Sequence, residues 1–278
     1  MPELPEVQTV VDDLQRVLPG ARFSRVEVFH DKTLEGTTAR HFSRKLKGRQ
    51  IRRVFRRAKH IVLDLEGDYW IAIHLRMTGR LTVHRRVLSP PPKHLRVLFH
   101  FEDDRTLSFV DTRKFGRIYL CRYRDVVRHP RLGKLGQEPL DPDFSAEKFL
   151  ALLKPSRGMI KPYLLNQSRL VGIGNIYADE ILWQARIHPK TRIERLRSPE
   201  RLLLYEAIRA VLEEAVGLRG SSIRDYRDAS GEKGGYQDRF RVYDRAGEPC
   251  LRCETAIRKM RVGQRGTYYC PKEQRLRK

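Results

Sequence analysis

The sequence predicts an α+β fold, with strands in the first half of the chain and helices in most of the second. Short segments that are apolar, or that alternate between apolar and polar residues, are typical of strands when turn-forming residues separate them. Such segments are 61–65, 69–74, 95–101 and 107–110. Several strands in succession favour a β-sandwich or a flattened barrel. Beyond residue 142 the apolar residues recur at helical spacing instead, so the two halves differ in secondary structure.

The predicted helices have recognisable ends. Valines and leucines recur at helical spacing over residues 7–18, and the Pro-Gly pair that follows ends this first helix. Ser198 is predicted to cap a later helix that carries Pro199 in its first turn. The segment 217–237 is rich in glycine and polar residues and has little periodicity, which predicts a long loop. Long loops in compact proteins are often functional.

The charge of the chain is strongly positive. Lysine and arginine number 57 and aspartate and glutamate 34 among 278 residues, which gives a net charge of +23. Such an excess on a folded chain indicates a polyanionic partner, most simply nucleic acid. Arginine outnumbers lysine, and its guanidinium suits phosphate groups and base edges. A ribosomal or chromatin protein would carry similar charge, so charge alone does not choose an activity.

Composition also restricts the class of the protein. The sequence has no run near the roughly 18 apolar residues of a membrane span, and its first residues lack the basic and apolar stretches of a signal peptide. Its 4 cysteines are too few for a disulfide scaffold and suit a reducing compartment. We therefore predict a cytoplasmic protein without membrane contacts. Nothing in the sequence demands more than a monomer.

Pro2 is the residue with the most distinctive chemistry. If Met1 is removed, as a small second residue permits, Pro2 exposes a secondary amine at the chain terminus. An α-amino group has a pKa of about 7.7–8.0, so a useful fraction is neutral and nucleophilic at physiological pH. Attack of this amine on a sugar C1′ gives a charged iminium, and the carboxyl group of Glu3 can transfer protons. The alternative is that Pro2 and Pro5 only shape the entry to the first helix.

The opening segment 2–7, PELPEV, resembles the start of bacterial formamidopyrimidine-DNA glycosylases. The resemblance covers essentially the whole chain, with motifs in the family's order and spacing. It implies that Pro2 is the nucleophile that forms a Schiff base and that Glu3 is the general acid that opens the damaged sugar. Lys59 occupies the place of the family's catalytic lysine on a hairpin and would assist β-elimination. Without the resemblance, Lys59 would be one more basic residue in a basic run.

Three residues are predicted to open the duplex. A stacked base cannot be attacked at C1′ until it is rotated out, and the space left behind must be filled. Met77, Arg113 and Phe115 match the trio that fills this space in the family. A flexible thioether and a phenyl ring suit an unstacked step, and the Arg113 guanidinium can donate to the orphaned cytosine. Taken alone, Met77 and Phe115 would more simply be core residues beside strands.

Further residues are predicted, by the same resemblance, to contact the DNA backbone. They are His94, Arg157, Lys161, Asn175 and Arg265. Asn175 follows a Gly-Ile-Gly segment at a helix start, where free backbone N–H groups suit phosphate, although such a segment alone usually marks an ordinary turn. With Lys161 it resembles the family's helix–two-turn–helix. Arg265 would contact the phosphates that flank the lesion and assist δ-elimination. The alternative for these cations is ordinary surface charge.

The loop 221–237 resembles the family's lesion-capping loop. Tyr226 and Tyr236 are its candidate side chains, although backbone amides could read the lesion instead. The presence of this loop favours oxidised purines over the oxidised pyrimidines removed by the endonuclease VIII branch.

The last segment contains a candidate zinc site. Two residues separate Cys250 from Cys253, and sixteen separate Cys253 from Cys270, a spacing typical of a zinc knuckle. The family pattern places a fourth cysteine where this chain has Glu273. Glu273 could supply an oxygen ligand, water could complete the set, or the hairpin could fold with weakly bound metal. The resemblance thus implies one structural Zn²⁺ whose fourth ligand is undetermined.

The same resemblance implies the domain order. We expect a catalytic β-sandwich domain that starts with a helix at 1–135, a linker at 136–145, a helical helix–two-turn–helix domain with the capping loop at 146–237, and a zinc-finger-like β-hairpin at 238–278.

The function implied is that of a bifunctional DNA glycosylase and AP lyase of bacterial base excision repair. It would remove 8-oxoguanine and formamidopyrimidines from double-stranded DNA, act at abasic sites, and work in the cytoplasm on the nucleoid. Two alternatives remain at this point. One is an endonuclease VIII-like glycosylase for oxidised pyrimidines, and the other is a non-catalytic protein that binds damaged DNA.

Overall fold

The computed structural model describes residues 1–86, 90–129, 131–222, 226, 228–229 and 231–276. The chain forms two compact units. The first comprises Met1–Lys134 with Arg219–Gly235, and the second Leu135–Leu218 with Tyr236–Lys278. In the part of the chain that is described, no helix is long and apolar enough to cross a bilayer.

The first unit contains two sheets. Its strands are β1 (Phe23–Val28), β2 (Leu34–Glu35), β3 (Ile51–Arg57), β4 (His60–Leu65), β5 (Tyr69–His74), β6 (Gly79–His84), β7 (Leu95–Phe101), β8 (Thr106–Asp111) and β9 (Arg117–Arg122). One sheet has the order β1-β7-β8-β6 and the other β2-β9-β5-β4-β3. Apolar side chains of both sheets belong to one core, to which the first sheet contributes Phe99 and Phe109 and the second Leu63 and Ile71. The fold is therefore a β-sandwich rather than a flattened barrel.

Two helices pack on this sandwich. They are α1 (Leu4–Val17) and α2 (Ala39–Leu46). Helix α1 begins before the predicted residue 7, because Glu3 occupies the N-cap position and Pro5 fits the first turn. Its buried valines pack on β3 and β4, which places the start of the chain beside the β3–β4 hairpin.

The second unit is helical and ends in a hairpin. Its elements are α3 (Ala146–Leu153), α4 (Ile160–Leu165), α5 (Asn175–Gln184), α6 (Ser198–Gly217), β10 (Arg258–Val262) and β11 (Arg265–Tyr269). Helix α5 packs on α4, α6 and β11. The mixture of a strand-rich and a helix-rich unit confirms the predicted α+β class.

The predicted cap of α6 is wrong by one residue. Arg197 is the N-cap and Ser198 is the first helical residue. The backbone N–H of Arg197 donates to Glu200 Oε2 at 2.9 Å, so a glutamate three residues later supplies an acceptor for the N-cap N–H. Pro199 lies in the first turn, as predicted.

Candidate active site and nucleic-acid interface

The start of α1 holds the two residues predicted to begin the chemistry. Pro2 and Glu3 are both buried. The Glu3 backbone N–H donates to Glu6 Oε2 at 2.7 Å, and its carbonyl accepts from the Val7 N–H at 3.1 Å. These bonds fix the backbone on both sides of the Glu3 side chain. The predicted nucleophile and its acid therefore sit on a rigid helix start rather than on a loose terminus.

Lys59 lies in the two-residue turn between β3 and β4. Arg57 pairs with His60 across the hairpin, and Ala58 has a φ of 55°, a left-handed conformation that costs energy for a residue with a side chain. The Lys59 side chain is only 5% exposed. At the end of β3, Arg56 Nε donates to Gln8 Oε1 of α1 at 2.9 Å. The structure thus brings the Lys59 turn to the N-terminal turns of α1.

Two buried histidines lie directly behind Lys59. The rings of His60 and His74 are 4.7 Å apart, edge to face. Burial lowers the pKa of His60 to about 4, and the nearby Arg57 backbone offsets only part of this effect. Burial, followed by repulsion from His60, places the pKa of His74 well below its ordinary value. Both imidazoles are therefore neutral at physiological pH and add no positive charge beside Lys59.

Glu6 joins the start of α1 to the stem of the predicted capping loop. Its Oε1 accepts from the Ser221 backbone N–H at 2.7 Å and from Ser221 Oγ at 3.1 Å. Gly220 has a φ of +74°, and a Cβ there would lie 2.7 Å from Glu6 Oε1. The Tyr226 hydroxyl donates to the Glu6 backbone carbonyl at 3.1 Å. Tyr226 therefore lies on the first turn of α1, and Glu6 has a role that the opening motif did not predict.

A second link fastens the same loop to α1. Arg219 Nη2 lies 2.7 Å from Asp13 Oδ2, and Arg219 Nε donates to Asp228 Oδ2 at 3.1 Å. Asp228 Oδ1 accepts from the Glu232 N–H at 2.8 Å. The pairing of Asp13 with Arg219 was not predicted from the sequence, because residues so far apart in the chain leave no local pattern. Residues 223–225, 227 and 230 of the predicted loop lie outside the described residues.

The predicted void-filling trio is brought together. Arg113 Nη1 is 3.1 Å from Met77 Sδ, and its guanidinium lies 4.7 Å from the centre of the Phe115 ring. Met77 and Phe115 are 41% and 45% exposed, although large apolar side chains are usually buried. The core interpretation of these two residues is therefore wrong. Their exposure beside a guanidinium fits a wedge that enters a stack of bases.

Asp111, which was not predicted from the sequence, organises the loop that carries the trio. Its Oδ2 accepts from the Gly116 N–H at 2.7 Å, and its Oδ1 accepts from the Arg113 N–H at 3.2 Å and from the Thr78 hydroxyl. Its backbone N–H donates to the carbonyl of His94 at 3.1 Å. His94 is half-buried and has a φ of 65°. Asp111 thus holds the trio's loop through its buried carboxylate and bonds to the predicted phosphate contact His94 through its backbone N–H.

In the second unit, α5 meets the tip of the β10–β11 hairpin. Asn175 Nδ2 donates to the Gly266 carbonyl at 3.0 Å. Gly263 and Gln264, with φ of 52° and 61°, form the two-residue turn that presents Arg265, which is exposed. The structure therefore places Asn175 at the hairpin tip, in contact with the residue that follows Arg265.

Lys161 is placed differently from the prediction. Its side chain is fully buried, with Nζ 2.6 Å from Asp179 Oδ1 and 2.8 Å from Thr267 Oγ1. Nζ also donates to the Gly266 carbonyl at 3.2 Å. An ammonium enclosed in this way does not face a phosphate. It holds the hairpin that carries Arg265 instead.

The remaining two predicted contacts differ from each other. Arg157 donates to the Ser156 carbonyl at 3.0 Å. Its side chain is exposed, so its position suits contact with the DNA backbone. Tyr236 is fully buried in the core of the second unit, where it packs 5.4 Å from Tyr177 and its hydroxyl accepts from Arg241 at 3.0 Å. The structure gives Tyr236 no access to a lesion, because its ring and its hydroxyl both have protein partners.

Three cysteines of the second unit form one cluster. The Sγ atoms of Cys250, Cys253 and Cys270 all lie within 4.8 Å of one another, a separation that suits tetrahedral coordination of zinc by thiolates. Glu273 does not belong to this group. Its Oε2 lies 3.5 Å from Arg186 Nε, while its backbone N–H points at Cys270 Sγ at 3.5 Å. Cys121 lies on β9 of the first unit, and burial raises the pKa of its thiol to about 11.

The chain matches three family descriptions in sequence. Residues 1–118 match the formamidopyrimidine-DNA glycosylase N-terminal domain, residues 135–227 the formamidopyrimidine-DNA glycosylase H2TH domain, and residues 247–272 the zinc finger found in FPG and IleRS. The resemblance noted in the sequence is therefore supported in each part of the chain, including the helix–two-turn–helix and the zinc-finger segment.

Comparison of the full-length chain with individual proteins supports the same family. The chain is 45% identical over 277 residues to the formamidopyrimidine-DNA glycosylase of Roseiflexus sp. (strain RS-1), covering 99% of this chain and 100% of that protein. A crystal structure of Lactococcus lactis Fpg with abasic-site DNA has a TM-score of 0.89 at 35% identity, covering 98% of this chain and 99% of that one. A Lactococcus lactis FPG mutant with DNA containing Fapy-dG gives 0.91 at 35% identity, covering 99% and 100%. The chain belongs to the formamidopyrimidine-DNA glycosylase family.

Proposed function

We propose that this DNA glycosylase of base excision repair removes oxidised purines from double-stranded DNA and then cuts the strand at the abasic site. One observation carries the proposal: Pro2 and Glu3 sit on a fixed helix start beside the hairpin that presents Lys59. The similar Lactococcus lactis proteins were solved with DNA containing an abasic site or Fapy-dG, which supports the same substrates here.

The reaction begins at the Pro2 nitrogen once Met1 is removed. The neutral amine attacks C1′, the bond from C1′ to the base breaks, and the base leaves with the proton that the amine loses. Glu3 donates a proton to the ring oxygen as the bond from C1′ to that oxygen breaks, which leaves the open sugar joined to Pro2 as an iminium. Lys59 assists the proton transfer of β-elimination. Successive β- and δ-elimination break the two bonds to phosphate. The strand is left with a one-nucleotide gap that ends in phosphates.

Met77, Arg113 and Phe115 are the residues that we propose open the duplex. The exposed thioether and phenyl ring enter the stack, and the guanidinium donates to the orphaned base. Their mutual contacts support a single wedge rather than three separate side chains.

Phosphate contacts are proposed for His94, Arg157, Asn175 and Arg265. Exposure of Arg157 and Arg265, and the bond from Asn175 to the hairpin tip, support these assignments. For Lys161 we propose a positioning role, because its ammonium is enclosed by Asp179 and the hairpin.

We also propose one structural zinc ion held by Cys250, Cys253 and Cys270. Bound zinc supplies a cross-link that fixes the hairpin. Glu273 is one candidate for the fourth ligand and would have to leave Arg186 to reach the metal; water is the other. Metal analysis of protein purified without added zinc tests this. A molar ratio near one supports the site, and a ratio near zero in a folded protein rejects it.

The predicted division into 1–135, 136–145, 146–237 and 238–278 remains our proposal for the domains. We further propose that the protein acts as a monomer in the bacterial cytoplasm, on the nucleoid.

The central experiment traps the covalent intermediate. Borohydride added during reaction with a duplex containing 8-oxoguanine opposite cytosine should link the protein to DNA, and the intact mass should show that Met1 is absent. Pro2→Gly, with Met1 still removed, should lose most of the adduct. Equal trapping and cleavage by Pro2→Gly would show that Pro2 is not the nucleophile.

A substrate comparison addresses the pyrimidine alternative. Excision of 8-oxoguanine opposite cytosine should greatly exceed excision of thymine glycol opposite adenine. The reverse order would assign the chain to oxidised pyrimidines.

A further inference from the structure

A basic cavity lies at the end of the five-stranded sheet that is remote from Lys59. Its volume is about 420 Å³, and residues from α2, the β4–β5 turn and the end of β9 line it. Strand β4 runs between Lys59 and this cavity, and six residues at about 3.3 Å each put them on the order of 20 Å apart. The cavity is therefore separate from the proposed catalytic site.

Tyr69 forms the floor of this cavity beneath three cations. The guanidinium of Arg49 lies 4.5 Å from the ring centre, that of Arg122 5.5 Å, and the Lys45 ammonium 5.9 Å. Arg122 Nε also donates to the Tyr69 hydroxyl at 3.2 Å. This hydrogen bond is the main reason that the pKa of Tyr69 is lowered.

The fold holds Arg49 in place. Its Nε donates to the Lys45 carbonyl at 2.6 Å and its Nη1 to the Glu66 carbonyl at 2.7 Å. Gly67 has a φ of +74°, and a Cβ there would overlap the Arg49 guanidinium. The arginine is thus preorganised across a glycine turn rather than swinging freely in solvent, which lowers the cost of binding an anion.

The charges around the cavity are unbalanced. Lys45, Arg49, Arg122 and Arg124 line it, and the only carboxylate among the lining residues is Asp68. The Asp68 side chain is 80% exposed and already lies 3.7 Å from Arg52. Cations crowded in this way repel one another, so an anion in the cavity would stabilise them.

Among the residues that line the cavity, Tyr123 offers an exposed aromatic surface. Tyr123 is 60% exposed, and its ring meets Trp70 edge-on at 5.1 Å. The contact with Trp70 orients the ring while leaving much of it open to solvent. Bases of any sequence stack on such a surface.

We propose that this cavity binds one phosphate-bearing nucleotide unit. The phosphate contacts Lys45, Arg122 and Arg124, and the base stacks on Tyr123. The volume suits a small ligand of this kind. A free nucleotide and a nucleotide within single-stranded DNA share this chemistry. Because the cavity lies apart from Lys59, the proposal does not depend on the glycosylase mechanism.

Calorimetric titration tests the proposal on the full-length protein. A duplex with an uncleavable abasic-site analogue is first bound to saturation, and deoxyadenosine monophosphate, inorganic phosphate or a short oligo-dA strand is then added. We expect saturable binding of the nucleotide with one site per chain. Arg124→Gln and Lys45→Gln should each weaken it about tenfold, the loss expected for one charge-assisted contact. Tyr123→Ser should weaken the nucleotide and the strand but not inorganic phosphate.

Arg44→Gln is the matched control, because Arg44 is an exposed cation of the same helix that does not line the cavity. It should leave nucleotide affinity unchanged, and thermal melting should show all variants folded. If Lys45→Gln unfolds, Arg124→Gln carries the test. Tighter binding of the strand identifies single-stranded DNA as the source, whereas equal affinity identifies a free nucleotide. No saturable binding, an equal loss in Arg44→Gln, or no effect of Tyr123→Ser overturns the proposal.

Discussion

Glu6 is the residue on which the start of α1 and the capping-loop stem both depend. Its carboxylate accepts from the Glu3 backbone and from Ser221, and a neutral amide can serve only one of these sides as an acceptor. We expect Glu6→Gln to lower the single-turnover excision rate about tenfold or more and to reduce stability by about 1–3 kcal/mol. Rapid-quench kinetics and denaturant unfolding measure the two effects.

Asp12→Asn provides the control for Glu6→Gln. Asp12 is an exposed carboxylate of the same helix, bonded to Gln8 at 2.7 Å, and its loss removes the same charge. It should leave the excision rate nearly unchanged. A Glu6→Gln enzyme as fast as wild type would mean that the loop stem does not position Glu3.

The sequence suggested a chemistry for individual residues but not their environment in the fold. Local motifs, which can be read from the order of the residues, led to the roles proposed for Pro2, Lys59 and the Met77 trio. The burial of Lys161 and Tyr236 was not foreseeable, because it depends on Asp179 and Tyr177, whose side chains approach only after folding. For the same reason the sequence did not predict the contact of Asp111 with Thr78 or that of Arg219 with Asp13, because these pairs are distant in sequence.

Among elements, the strands were the most predictable. The predicted segments 69–74 and 95–101 coincide with β5 and β7, because short apolar runs between turns leave little freedom in their ends. The ends of the helices were harder to predict. Helix α1 starts earlier than its apolar pattern, and α6 uses Arg197 as its cap although Ser198 is the stronger capping residue type.

The buried ion pair of Lys161 and Asp179 joins α4 and α5 to the hairpin that carries Arg265. Burial raises the pKa of Asp179 to about 7, and the Lys161 charge beside it opposes this rise. Removing one partner leaves the other buried and unpaired, so Lys161→Met should cost about 3–5 kcal/mol of unfolding free energy. Denaturant unfolding measures the loss, and hydrogen exchange should show it concentrated in β10 and β11.

A double variant separates the effect of an unpaired charge from the other effects of losing the Lys161 ammonium. Lys161→Met with Asp179→Asn keeps an acceptor for the Tyr268 N–H, which donates to Asp179 Oδ2 at 3.0 Å, and removes both charges. It should recover most of the stability lost in Lys161→Met. A double variant as unstable as the single one would show that the loss comes from the missing hydrogen bonds to Gly266 and Thr267 and not from an unpaired charge on Asp179.

The stability of the whole molecule should fall in mild acid because of His60. The unfolded chain binds a proton at this residue below pH ~6.5, whereas the folded chain binds it only below a pKa of about 4. The unfolded state therefore gains protons first as the pH falls, and roughly 3 kcal/mol is lost between these two values. Above pH ~6.5 the contribution is complete and stability should not depend on this group.

His60→Phe should flatten that part of the pH profile. An aromatic ring retains the packing on His74, and among the described residues neither ring nitrogen of His60 makes a well-formed hydrogen bond that would be lost. His41→Gln is the control, because His41 is exposed on α2. Unfolding free energies measured through the acid range compare the three proteins. A profile for His60→Phe as steep as that of wild type would place the acid sensitivity elsewhere, with His74 next in line.

The net charge of +23 should act on DNA binding mainly through a few contacts and through long-range attraction. Each phosphate that is neutralised contributes about −0.9 to the slope of log K against log salt concentration. Arg157→Gln and Arg265→Gln should each reduce the magnitude of the slope by about one, because both side chains are exposed at proposed phosphate contacts.

Arg44→Gln, which removes the same charge elsewhere, should lower the association rate slightly and leave the slope unchanged. Anisotropy titrations of an uncleavable duplex between about 50 and 200 mM salt measure all four proteins. If the three variants shared one slope, the charge would act only as a diffuse field, and the assignment of Arg157 and Arg265 to phosphates would be wrong.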